Sequence, residues 1–361
     1  MANQRLAFGF SAMAVAGALL LVVLFDAVFV GEAGRIVAYP ENMHADVWVM
    51  QNGVENMHMA SSLIWDSKQT RIERIAGVQR VTPILYLNSI VVIGGRRWFS
   101  YIIGIEATND RAGPWLLEKG VRPHNAGDIV VPAAIGRMVN VKIGDRARLA
   151  DRALTVVGLS KETFSMANPV MFVTLETLRD AMSLSASHSY LLIDLKPGYD
   201  ARNIARQINT VIDGVHAMTA EAFIASDRRM ALQMGVELIG LMTTIGTGLA
   251  ILLTAFSVQA FIARKTPELV ILKALGTNGF VMAGGVLIQA LVLCFAGMLI
   301  ATGLAIVLVE VSRQFLPHVS LSLQMTLVVR LAALAALGAL IAAAFSIVKL
   351  ARIDPAAAFR V

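Results

Sequence analysis

The positions of four apolar runs limit what this chain can fold into more than any other feature. One run opens it at Leu6–Val30, and three more fill its end at Leu238–Ile262, Val281–Val309 and Met325–Val348. A bilayer's hydrocarbon core needs about 20 apolar residues per helical crossing, and each run is long enough. Between the first and second lies a polar stretch that reads as an ordinary folded domain. The expectation is an integral membrane α-helical protein with four transmembrane helices in a 1+3 layout and an inserted extracytoplasmic α+β domain. Residues 1–30 form the cytoplasmic N-terminus and first helix, and 31–227 the outer domain. Residues 228–348 carry a stalk and the other three helices, with a cytoplasmic loop at 263–280, and 349–361 a cytoplasmic tail.

Composition agrees with a membrane part joined to an aqueous part. The chain has 361 residues, is 57% apolar and has a mean hydropathy of +0.67. That is too oily for a soluble protein and too polar for a bare helix bundle. The net charge of +6 does not point to nucleic acid, because the basic residues are scattered and not gathered with aromatics. Lipid headgroups and the inside-positive bias account for them. The only cysteine, Cys294, lies inside an apolar run, which excludes an internal disulfide. The first run exceeds a signal peptide's apolar region and lacks a convincing cleavage site around Phe25–Gly34, so a retained anchor is expected.

Orientation follows from arginine and lysine in the short loops. Arg264, Lys265 and Lys273 lie between the second and third runs, and Lys349, Arg352 and Arg360 follow the fourth. The loop Glu310–Gln324 has only Arg313. Both termini are therefore expected in the cytoplasm, with the protein multi-pass and its large domain outside.

Within the outer domain, Asp46–Met50, Gln79–Tyr86, Ile90–Ile93, Phe99–Gly104, Asp128–Val131, Ala153–Gly158 and Tyr190–Leu195 read as strands. Ser67–Ile75, Pro132–Met138, Leu175–Met182 and Ala201–Ile212 read as helices, and Asn140–Asp145 as a turn. Ala220–Arg264 reads as one long helix whose outer half, with Asp227, Arg228 and Arg229, projects as a stalk. The alternative is two helices bent near Gly235.

The cytoplasmic loop carries a short helix of its own. Thr266 is a good N-cap, Pro267 suits the first helical position, Glu268 favours the positive end of the dipole, and Gly276 supplies a left-handed stop. The helix between carries Leu269, Val270, Ile271, Leu272, Ala274 and Leu275, more apolar surface than a free loop exposes. It either lies in the headgroup region or docks on a partner.

At this loop the chain resembles the FtsX/MacB-type ABC transporter permeases, also called type VII transporters. Their R-x-x-E-h-x-h-L-K-A-h-G segment stands here as Arg264, Lys265, Glu268, Leu272, Lys273, Ala274, Leu275 and Gly276. A second mark, D-P-h-x-A-h-R, stands at Asp354, Pro355, Ala356, Ala357, Ala358, Phe359 and Arg360. The outer domain is similar in DVWVM, in Ile75–Pro83 and in Asp128–Gly158, and DevC-like exporters are the nearest branch. The resemblance implies a homodimeric permease subunit bound to separate ABC ATPase subunits. Arg264, Lys265, Glu268, Leu272, Lys273, Gly276, Asp354, Pro355 and Arg360 would form the contact. No cofactor is expected in this chain, and ATP would be bound by the partner, because no P-loop sequence is present. Export or extraction of a lipid, lipoprotein, peptide or small hydrophobic substrate follows, with a membrane-fusion protein and an outer-membrane channel as further partners. The alternative is an FtsX-like transducer regulating a cell-wall enzyme.

Little points to catalysis. His44, His58, His124, His188, His216 and His318 are dispersed, and no paired-carboxylate or nucleophile motif accompanies them. Asp26 and Glu310 are expected near water at the outer ends of their helices, and Gln259 and Gln289 in hydrogen bonds between helices. Glu41-Asn-Met-His44 recurs as Glu55-Asn-Met-His58, followed by Met59. Met43, His44, Met57, His58 and Met59 are therefore soft-ligand candidates for Cu(I), against the reading of an adaptable Met-rich surface.

Overall fold

The computed structural model describes residues 2–58, 61–108, 110–165, 169–184, 186–231, 233, 237–315, 321–323 and 325–352. In chain order it runs α1 (Ala2–Ile36), α2 (Ala38–Asn42), β1 (Val47–Gln51), β2 (Ile64–Trp65), α3 (Asp66–Glu73), β3 (Val78–Ile93) and β4 (Arg96–Ile105). There follow β5 (Leu117–Gly120), β6 (Asp128–Pro132), α4 (Ala133–Val139), β7 (Arg146–Leu149), β8 (Arg152–Ser160), β9 (Val170–Thr174) and α5 (Leu175–Met182). The chain continues with β10 (Ser187–His188), β11 (Tyr190–Leu195), α6 (Ala201–Val211), β12 (Val215–Thr219) and α7 (Ala220–Ala231). It ends in α8 (Glu237–Arg264), α9 (Thr266–Ala274), α10 (Gly279–Phe315) and α11 (Met325–Arg352). Two compact units result, one of 32–237 with 317–320, the other of 1–31, 238–316 and 321–361.

The inserted unit is built on β3. Its first half belongs to an antiparallel sheet in the order β12-β1-β11-β3, with α3 linking β1 to β3 and α6 linking β11 to β12. That is a split β-α-β-β-α-β arrangement. Successive strand residues face opposite sides, so Val47 and Val49 meet Ile72, Ile204 and Ile208 of the helices, while Trp48 and Met50 face the other way. Both faces of β1 are covered, which is why DVWVM shows no alternation of polarity. The second half of β3 pairs with β4 and β7, and the pairings β4-β9-β6-β8-β7 return to β3, closing a ring. Leu85, Ile102, Ile129, Val131, Leu154 and Met171 pack together in its core.

Local signals set the helices. Thr174 accepts from the Thr177 N–H at 3.2 Å to start α5, and Asp200 accepts from the Asn203 N–H at 3.0 Å to start α6. Asn140, at φ +55°, ends α4 in the left-handed conformation its short polar side chain tolerates.

The expected long helix is described in two parts, α7 and α8, with 232 and 234–236 outside the described residues. Its outer part packs on the inserted domain's sheet. Phe223 is fully buried in the aromatic core, stacked on Trp48 at 4.5 Å, and Asp227 one turn later is buried as well. Burying one such phenylalanine contributes about 2–3 kcal/mol, enough to hold a short helix onto the sheet. Arg228, on the outer face, pairs with Glu41 of α2.

In the other unit, α1, α8, α10 and α11 are each long and apolar enough to cross a membrane. Their core mixes alanines with larger residues such as Leu19, Phe261 and Leu293, and glycine marks its closest approaches. A Cβ on Gly297 would meet Val15 at 2.5 Å, and one on Gly338 would meet Thr254 at 2.7 Å, so these helices approach only because the side chain is missing. Asp26 is not at a watery helix end as expected: it is buried and accepts from Arg330 of α11 at 2.8 Å. The Ala27 carbonyl beside it accepts from the Ser322 N–H. Glu310 is exposed. Gln289 Oε1 is buried and has no hydrogen-bond partner among the described residues.

Candidate functional site

The segment between α8 and α10 is fixed at both ends. Only Lys265 separates α8 from α9, and its backbone stays helical at φ −95°, ψ −2°. Thr266 is therefore inside α9 and not its N-cap, because no extended residue fits in so short a link. Pro267 occupies the first turn, where its missing N–H costs nothing. At the far end Gly276 adopts φ +84°, the Thr277 N–H bonds to the Leu272 carbonyl and the Gly276 N–H to that of Lys273. Both bonds of a Schellman stop are present, and the glycine makes them possible. Asn278 then caps α10 by accepting from the Phe280 N–H at 2.9 Å.

Between these stops α9 has two faces. Leu269 and Val270 are buried against the helix core, with Phe261, Ile262 and Met282 in the same cluster. Ile271, Leu272 and Leu275 face outward, Leu275 at 78% exposure, and Phe280 just beyond is 88% exposed. Arg264 and Glu268 are exposed, and Lys265 lies over the Phe261 ring at 5.2 Å. Lys273 is half-buried and borders a cavity of about 470 Å³ with Thr277, Asn278, Phe280, Met282 and Ile347. Six of the nine expected contact residues thus sit on this one segment. Asp354, Pro355 and Arg360 lie outside the described residues.

The soft-ligand candidates are divided. Met43 and Met57 are buried in the aromatic core, whereas His44 is exposed at φ +46°. His58 is buried with Nδ1 2.7 Å from Asp227 Oδ1, and Asp227 also accepts from the Met57 N–H at 2.8 Å. Met59 lies outside the described residues. No group of three or more His, Cys, Asp or Glu with metal-site geometry occurs among the described residues. Sequence reasoning missed the Asp227–His58 pair, and no local signal links residues so far apart in the chain.

Around that pair burial governs the titrating groups. Desolvation raises the phenols of Tyr39, Tyr86 and Tyr190 far above their ordinary range, so they stay protonated donors. Tyr39 Oη donates to the Ala112 carbonyl and Tyr190 Oη to that of Asn56. His188, against Asp66 at 2.9 Å, is pushed down to about 4, chiefly by burial.

Four membrane-length helices, a domain inserted after the first, and an apolar helix anchored between the second and third define a multi-pass membrane protein of transporter type. The family model of the MacB-like periplasmic core domain matches residues 9–211, and that of the FtsX-like permease C-terminal region matches 240–355. The chain belongs to the FtsX/MacB-type ABC transporter permeases. An ABC transporter permease of Mycobacterium bovis is 22% identical over 91% of this chain and 87% of its own. One of Mycobacterium tuberculosis is 21% identical over 88% and 85%. Among solved structures, the periplasmic region of MacB from Actinobacillus actinomycetemcomitans aligns at 11% identity and a TM-score of 0.40, over 53% of this chain and 96% of that one.

Proposed function

We propose that this permease converts ATP hydrolysis in a separate ABC ATPase into movement of its inserted domain. It exports or extracts a lipid, lipoprotein, peptide or small hydrophobic substrate. The protein lies in a bacterial inner membrane with both termini in the cytoplasm and the inserted domain outside, and works as a homodimer carrying two ATPase subunits. A membrane-fusion protein and an outer-membrane channel continue the path.

One observation carries this reading. The helix α9 presents Ile271, Leu272 and Leu275 outward while Leu269 and Val270 bind it to the membrane helices. A partner seated on that outer face pushes a body that cannot rotate away, because the two stops at Lys265 and Gly276 hold its axis. Arg264, Glu268 and Lys273 give the contact its charge pattern. Asp354, Pro355 and Arg360 are assigned to the same contact on the family motif alone.

Leu272→Asp puts a charge in the middle of the docking face and is expected to abolish co-purification of the ATPase while the permease remains folded in detergent. Unchanged recovery of the ATPase removes α9 from the contact. Mass spectrometry of the native complex separates the two functional classes. A fusion protein beside the ATPase supports export, and a cell-wall hydrolase in its place supports a signalling transducer.

A further inference from the structure

A second cavity, of about 370 Å³, opens in the inserted domain and is lined by Asn42, Met43, Arg80, Arg111, Gly113, Trp115 and Arg122. Three guanidinium groups border it, and no carboxylate is among these lining residues. Asp194 holds two of them in place without lining the space. Arg80 Nε donates to its Oδ2 at 2.9 Å, Arg111 Nε to the same oxygen at 3.1 Å, and Arg111 Nη2 to Oδ1. Arg111 Nη2 also donates to the His44 carbonyl at 2.8 Å. The third guanidinium, that of Arg122, borders the space beside Gly113, where a Cβ would come into ordinary contact with Nη1 at 3.4 Å. Trp115 is a fixed wall, held edge-on by Phe172 at 6.3 Å and beside Tyr39 at 6.5 Å.

We propose that this cavity is a binding site for a phosphate ester, with Arg80, Arg111 and Arg122 holding the phosphate and Trp115 contacting the organic group attached to it. Planar guanidiniums match the oxygens of phosphates and carboxylates with paired N–H donors. One carboxylate, that of Asp194, is already shared by Arg80 and Arg111. A further anion that engages three guanidiniums at once is served better by the tetrahedral spread of phosphate oxygens than by the planar pair of a carboxylate. Preorganisation of Arg80 by Asp194, and of Arg111 by Asp194 and the His44 carbonyl, means that these two arginines need little ordering when the ligand arrives. The phosphate could come from a lipid headgroup or from a soluble ester, and the chemistry of recognition is the same.

The full-length protein in phosphatidylcholine nanodiscs, titrated with glycerol 3-phosphate in a calorimeter at low salt, tests the site. Saturable binding is expected, weakened about tenfold or more by Arg122→Gln and likewise by Arg80→Gln. Both residues are at least partly solvent-exposed, and unchanged near-ultraviolet circular dichroism checks that each variant is folded. Repeating the titration in discs containing phosphatidylglycerol identifies the source. Competition by the lipid assigns the site to headgroups, and undiminished binding assigns it to soluble esters. No saturable binding by the wild-type protein, wild-type affinity in both variants, or succinate binding as tightly as the phosphate ester would overturn the proposal.

Discussion

The two units of this protein solve the packing problem with opposite residues. In the inserted domain the largest fully buried side chains include Trp48, Tyr190, Phe172 and Phe223, stacked or edge-on at 4.5–6.3 Å. Among the membrane helices many buried positions are alanines, as at Ala12, Ala16, Ala290, Ala301, Ala335, Ala339 and Ala343, beside larger ones such as Leu19, Phe261 and Leu293, while Phe256, Phe295 and Phe345 point outward. Water rewards burying the biggest apolar surface, so a water-exposed domain puts its aromatics inside. Lipid tails are as apolar as the side chains, and that reward vanishes. Close contact between backbones then holds helices together, which calls for small residues.

Truncations separate the two regimes most sharply. Trp48→Ala empties the centre of the aromatic core and is expected to cost the inserted domain about 3–5 kcal/mol, read as lost near-ultraviolet dichroism and faster proteolysis. A membrane unit that melted equally would break the comparison.

Acid probes the aqueous core alone. His188 binds its proton at about 4 when folded but near its ordinary value when unfolded. The unfolded state therefore holds more protons between those values, and stability falls as pH drops from about 6.5 towards 4. The full window is worth about 3 kcal/mol. Hydrogen-exchange protection factors at β2 and β10, corrected for the intrinsic rate at each pH, should fall across it in the wild-type protein, and His188→Gln should flatten the slope.

Enlargement, by contrast, is what the membrane helices resist. Gly338→Leu drives a side chain into Thr254, with an expected cost of about 1–3 kcal/mol, seen as a lower aggregation temperature in detergent and an unaltered inserted domain. The smallest effect belongs to Arg330→Gln. Its side chain is 67% exposed, so losing the pair with Asp26 should change stability by about 1 kcal/mol or less. A larger loss in thermal scans would mean that this pair is shielded from solvent in the assembled transporter.

Much of this contrast was legible in the chain. The four apolar runs and the Pro267–Gly276 helix needed only length, period and end signals, and α5 and β11 matched their expected bounds. Gln79–Tyr86 and Ile90–Ile93 proved to be parts of one strand, because Leu87, Asn88 and Ser89 stay paired with β4 in spite of their mixed polarity. Val170–Thr174 was overlooked since five consecutive buried residues show no alternation, and Val215–Thr219 since His216 and Met218 interrupt the β-formers. At the site, the Gly276 stop and the outward leucines could be read directly. The Thr266 cap could not, because it depended on how tightly α8 runs into α9. Asp227 was placed on a stalk for a related reason. Its burial depends on Trp48 and Phe223, which meet only once the sheet exists.

The sixteen residues of β3 have a consequence of their own. Their alignment is dictated twice, by β11 near one end and by β4 and β7 near the other. Adding or deleting a single residue anywhere along β3 would turn its inward side chains outward in whichever half slipped, and no intervening loop could take up the error. Natural length variation in this domain should therefore fall in the connections around it and spare this ribbon.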